Sequence, residues 1–63
     1  MPLTRFIDEL YNRGICVYFM NGIFYFKKIE PSFNVVSMKV SKLNEYTHYL
    51  TVDEFVKMIE KRL

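Results

Sequence analysis

The stretch GICVYFMNGIFYF, residues 14–26, contains no charged side chain and is broken only by Asn21-Gly22. Apolar and aromatic residues alternate on both sides of that dipeptide, and Asn-Gly is the strongest short-range signal for a two-residue type I′ hairpin. With the turn placed there, Met20 lies opposite Ile23, Phe19 opposite Phe24, Tyr18 opposite Tyr25 and Val17 opposite Phe26. The pleat then divides the hairpin into two faces. Ile15, Val17, Phe19, Phe24 and Phe26 form an apolar face that ends at Lys28 and is expected in the core. Cys16, Tyr18, Met20, Ile23, Tyr25 and Lys27 line the other.

Working outward toward the amino terminus, Leu3, Phe6, Ile7, Leu10 and Tyr11 recur at helical spacing, with Arg5, Asp8, Glu9, Asn12 and Arg13 between them. That is the stripe of a short amphipathic helix. Thr4 is its expected N-cap and Gly14 its left-handed stop. The adjacent acids Asp8-Glu9 and Asp53-Glu54 are read as first-turn residues interacting with helix dipoles.

Toward the carboxyl terminus, residues 30–34 (Glu30-Pro31-Ser32-Phe33-Asn34) read as a turn, because Pro31 cannot donate to a ladder and Ser and Asn favour turns. Pairing Ile29 with Val35 puts Val36, Met38 and Val40 on the core face. Ser37, Lys39 and Ser41 then fall beside Lys27, Tyr25 and Ile23 on the other face. A slip of one residue would bury Ser37 and Lys39, which excludes it. Lys42 to Glu45 reads as a loop and Tyr46 to Leu50 as a short fourth strand. Thr51-Val52-Asp53-Glu54 is a capping box, with Leu50 and Phe55 placed as a hydrophobic staple. Val52, Phe55, Val56, Ile59 and Leu63 make the stripe of a final helix whose last turn carries Lys61 and Arg62.

The expected architecture is therefore a single two-layer α+β domain over residues 1–63. An antiparallel sheet of three or four strands has the N- and C-terminal helices packed on one face. A chain of 63 residues buries only about 60% of its unfolded surface, yet 51% of these residues are hydrophobic and 17% aromatic. So rich a supply must pack very efficiently or continue into a subunit interface, and a homodimer is one expectation.

Charge and cysteine content narrow the function classes. The net charge of +2 is spread evenly along the chain, with no basic block to act as a nucleic-acid footprint. Cys16 is the sole cysteine, so no internal disulfide forms. A reducing cytoplasm is the expected compartment. No secretory leader pattern or membrane-length apolar run is visible. A neutral tip of Phe19, Met20, Ile23 and Phe24 would suit a membrane surface, but stacking Phe19 and Phe24 into a core argues against it, so no membrane partner is expected. The absence of Ala, Gln and Trp beside abundant Phe, Tyr, Met, Ile, Asn and Lys follows AT-rich codons, which suggests a phage or mobile-element source.

No catalytic group stands out. Cys16 and His48 would have to supply any Cys-His nucleophile pair between them, but Cys16 sits in an apolar strand without a neighbouring cation. It reads as a small hydrophobe, and His48 as a surface histidine. One Cys and one His fall short of the three or four ligands of a zinc site, and Gly14 and Gly22 are taken by a cap and a turn, leaving no phosphate loop. Neither an enzyme nor a cofactor site is expected. Lys57, Lys61 and Arg62, interrupted by Glu60, read as a solvated helix face.

What remains is the second face of the sheet. A solvated sheet face normally alternates cleanly between apolar and polar, and this one does not. Either a helix or the fourth strand covers it within the chain, or a partner does. The candidate partner-binding residues are Tyr18, Met20, Ile23, Tyr25, Lys27 and Lys39, because Tyr and Met bring large contact area at modest entropic cost. The leading expectation is a small cytoplasmic regulatory protein docking onto a protein, as phage-encoded inhibitors of host machinery do. The alternative is a nucleic-acid-binding module that stacks bases on Tyr18 and Tyr25 and meets phosphates with lysines.

Overall fold

The computed structural model describes residues 3–30 and 34–63. Helix α1 (Leu3–Asn12) is followed by strands β1 (Ile15–Met20), β2 (Ile23–Lys28) and β3 (Val35–Lys39), then helices α2 (Val40–Tyr49) and α3 (Val52–Arg62). The strands form an antiparallel sheet in the order β1-β2-β3. The chain is thus a small α+β fold.

Asn21 and Gly22 both take positive φ, 51° and 78°, as a type I′ turn demands. The register that follows is the expected one, from Met20↔Ile23 to Val17↔Phe26, and continues to Ile15↔Lys28. Gly14, at φ 80°, ends α1 and leads straight into β1. Thr4 is not the cap of α1. Leu3 packs against the core and is already helical, two residues before the first position that a cap at Thr4 would give, so Thr4 lies exposed within the helix. Asp8 and Glu9 accordingly fall beyond the middle of α1 rather than in its first turn.

β3 pairs as Lys27↔Val35, Phe26↔Val36, Tyr25↔Ser37, Phe24↔Met38 and Ile23↔Lys39. Relative to a pairing of Ile29 with Val35, the strand is displaced by two residues toward the hairpin turn. Two residues are one period of the pleat, so the faces are unchanged while every partner differs. The displacement brings the end of β3 up to the turn, where the Val40 amide donates to the Gly22 carbonyl at 3.3 Å. Val40 therefore opens α2 and Ser41 follows it into the helix. Of the turn expected over residues 30–34, residues 31–33 lie outside the described residues. Asn34 donates its side-chain amide to the Leu63 carbonyl at 2.9 Å.

The expected loop at Lys42–Glu45 and strand at Tyr46–Leu50 are replaced by α2. Val40, Leu43, Tyr46 and Leu50 recur at near-helical spacing. Leu43 is buried, with Tyr46 and Leu50 packed against the same core. Pairs within the helix support it: Lys42 lies 3.7 Å from Glu45 and 5.3 Å from the Tyr46 ring centroid, and the Thr47 hydroxyl donates to the Leu43 carbonyl at 2.9 Å.

α3 begins as expected. Thr51 and Glu54 form the capping box, the Glu54 amide donating to Thr51 Oγ1 at 3.1 Å and the Thr51 amide to Glu54 Oε1 at 2.9 Å. Its stripe delivers Phe55, Val56 and Ile59 to a core shared with Phe6 and Leu10 of α1, Leu43 of α2, and Ile15, Phe26 and Met38 of the sheet. Phe55 meets Phe6 and Phe26 edge to face, with centroids 5.5 and 6.0 Å away. All three helices thus bury their stripes against one face of the sheet.

Candidate protein-docking face

The other face is built by parity from the Asn21-Gly22 turn. Cys16, Tyr18 and Met20 of β1, Ile23, Tyr25 and Lys27 of β2, and Val35, Ser37 and Lys39 of β3 all point away from the helices. Every one of the six residues expected to bind a partner is therefore on a single surface. Ile29, whose amide donates to the Gly14 carbonyl at 2.9 Å, extends β2 by one more residue of the same parity.

Exposure follows position in the sheet. Tyr18 and Met20, on the edge strand, are 52% and 58% exposed, whereas Ile23 and Tyr25 on the central strand are half-buried between neighbours. Ile29 and Val35 are also more than half exposed. No buried residue of any helix lies on this side, so among the described residues no helix covers the face. Cys16 is a free, half-buried thiol here, and with Tyr18, Lys27, Lys28 and Ile29 it lines a shallow depression of about 210 Å³. The face carries Lys27 and Lys39 and no carboxylate.

Sequence reasoning stopped short of two members. Ile29 and Val35 obey the same alternation as Lys27 and Ser37, and continuing that alternation past residue 27 finds them. It also misplaced one residue. Phe19 points to the helix side, as its parity requires, but it stands at the hairpin tip beyond the reach of the helices. It is 56% exposed, its ring resting on Phe24 at a centroid distance of 4.6 Å. The burial of Phe19 that argued against a membrane-contacting tip is therefore not present. No helix among the described residues is long and apolar enough to cross a membrane.

His48 is exposed on α2, its ring 5.1 Å from that of Tyr49, and Cys16 is on the open face of the sheet. No group of three or more His, Cys, Asp or Glu side chains among the described residues could hold a metal ion. Five charged residues of α1, α3 and the residue that follows α1 form one cluster. Arg13 reaches Glu9, Asp53 and Glu60 at 3.2, 2.9 and 3.2 Å, and Lys57 meets Asp53 at 3.1 Å. These contacts raise the Arg13 pKa, the hydrogen bond to Asp53 contributing most. Asp53 is held below its ordinary value by its hydrogen bonds to Lys57 and then Arg13. This cluster joins two helices on the surface and leaves no unpaired acid for proton transfer within it.

No protein family, curated protein or solved structure matches this chain. The functional reading rests on the open face itself.

Proposed function

We propose that this chain is a non-enzymatic regulatory protein of the cytoplasm that docks onto a protein partner through Tyr18, Met20, Ile23, Tyr25, Lys27 and Lys39. The observation that carries the reading is the pair Tyr18 and Met20, more than half exposed on a sheet face whose opposite side holds the whole core. Leaving such residues in water is unfavourable, and covering them with a partner recovers the hydrophobic gain. Lys27 and Lys39, without a carboxylate beside them on the face, suit a partner surface that is apolar at its centre and acidic at its rim. On this reading the open face acts by occlusion, masking a site on the partner. Such a role fits an inhibitor encoded by a phage or mobile element.

The test begins with affinity capture from the native host, followed by calorimetry with the purified partner. A Tyr18→Ala/Tyr25→Ala chain of unchanged circular dichroism is expected to lose binding. Retained affinity in that folded double variant removes the proposal.

The tyrosines also sit among lysines without an opposing acid, which favours single-stranded nucleic acid as the second reading. Salt separates the two. Affinity for a nucleic acid falls steeply as salt rises, whereas an apolar protein interface holds.

A further inference from the structure

We propose that the hairpin tip formed by Phe19, Met20, Asn21, Gly22 and Ile23 is a shallow anchor for an anionic lipid surface. The tip lies at one end of the sheet, so its contact with lipid stands or falls separately from protein docking around Tyr25 and Lys27.

Tyr18, Phe19, Met20, Asn21 and Gly22 are consecutive exposed residues with no charge among them, and the first three are large and apolar or aromatic. Phe19 and Met20 are neighbours on β1, so the pleat sends their side chains to opposite faces, yet each is more than half exposed. Phe24 lies against Phe19 on one face, and Ile23 stands opposite Met20 on the other. The tip is therefore apolar on both sides of the ribbon. Scattered exposed apolar side chains are ordinary, but a contiguous group of them marks an interaction site.

An anionic lipid surface is the occupant that this tip fits. A groove on a protein covers one face of a ribbon, whereas the boundary between headgroups and acyl chains receives a tip from all sides. The charges that flank the tip have the matching sign. Lys39 faces Ile23 across the ladder, and Lys42 lies in the first turn of α2, whose first residue, Val40, donates its amide to the Gly22 carbonyl. That first turn holds no acid; Glu45, which Lys42 meets at 3.7 Å, comes after it. Each cation near the surface adds an attraction to anionic headgroups that salt screens. Tyr18 follows two residues behind Met20, about 7 Å back along the strand. At that distance its ring and hydroxyl meet the headgroup level that tyrosine favours. Entry is shallow, because Asn21 and the turn amides need polar partners that headgroups supply and acyl chains do not. One small tip with two lysines gives weak, reversible attachment, as a single short anchor does.

The chain has no tryptophan, so Phe19→Trp places a single fluorescent reporter at the tip. With vesicles of equimolar phosphatidylserine and phosphatidylcholine at low salt, its emission is expected to shift to the blue. Lipids brominated near the headgroup end of the acyl chain should quench it. The shift should fade as salt rises and be far smaller on phosphatidylcholine alone. Tyr49→Trp, at the exposed last residue of α2, is expected to show neither change. In vesicle flotation, Phe19→Ser should partition about tenfold less than the unmodified chain, the effect of withdrawing one large apolar side chain. Lys42→Gln, outside the sheet, is the second variant should Phe19→Ser fail to fold, and it should weaken binding to the anionic vesicles. Failure of the unmodified chain to float with anionic vesicles at low salt overturns the proposal. So does binding in which Tyr49→Trp shifts as much as Phe19→Trp, as adsorption through another surface would give, or binding that neither Phe19→Ser nor Lys42→Gln weakens.

Discussion

Arg13, just past the end of α1, and Asp53, at the start of α3, are joined by a 2.9 Å ion pair, 40 residues apart in the chain. Glu9 and Glu60 flank the same guanidinium, so one side chain ties the first helix to the last. The cluster is on the surface, where ion pairs are weak and screened by salt. Arg13→Met is expected to lower the melting temperature modestly at neutral pH and low salt, and added salt should narrow the gap from the unmodified chain. Acid gives the sharper check. Because Asp53 titrates below its ordinary value of 3.8 when folded, its stabilisation is complete above that value and is lost as pH falls through the lowered one. The difference between the two chains should therefore shrink below about pH 4 in thermal melts. A gap independent of both salt and pH would mean that Arg13 acts through packing of its aliphatic stem.

Phe55 is the hub of the core, fully buried and in edge contact with both Phe6 and Phe26. Truncation to Ala is expected to cost about 3–5 kcal/mol from lost transfer energy and the cavity left behind. A chain of this length has a total stability of roughly 3–9 kcal/mol at typical values per residue. Phe55→Ala should then be wholly or largely unfolded by circular dichroism at room temperature, while Phe55→Leu keeps a cooperative transition at lower temperature. A well-folded Phe55→Ala chain would show that the core closes over the gap.

The parts of this fold that were legible in the sequence are those specified by local chemistry. Asn21-Gly22 demands positive φ twice, which sets the β1–β2 register, and Thr51 with Glu54 marks the start of α3 by reciprocal hydrogen bonds. The faces of β3 were legible because parity protects them, but its partners were not, since a two-residue slip leaves the pattern intact. α2 gave no start signal: Lys39 at its N-cap makes no side-chain cap, and Tyr46, Thr47 and Tyr49 are residues that strands favour. Its helical state comes from Leu43 reaching a core assembled by other elements. The open face followed from the hairpin alone. The exposure of Phe19 did not, because how far the helices extend over the sheet is a tertiary property.

Gly22 supports two junctions at once, the hairpin turn through its φ of 78° and the β3–α2 boundary through its carbonyl, which accepts from Val40. A Cβ built there meets nothing within 4 Å, so the cost of adding one is conformational rather than steric. An L-residue in this region is disfavoured by about 1–2 kcal/mol. Gly22→Ala should therefore lower stability by about 1 kcal/mol in chemical denaturation, with the open face and core otherwise intact. A D-alanine at the same position inverts the argument: positive φ is its preferred region, and it restricts the unfolded chain, for a gain of about 0.4–1 kcal/mol. Opposite signs for the two mirror-image methyl groups would place the cost in the backbone. Equal destabilisation by both would place it in crowding at the turn, and the type I′ geometry would then have to be held by the packing of Phe19 on Phe24 rather than by residues 21 and 22.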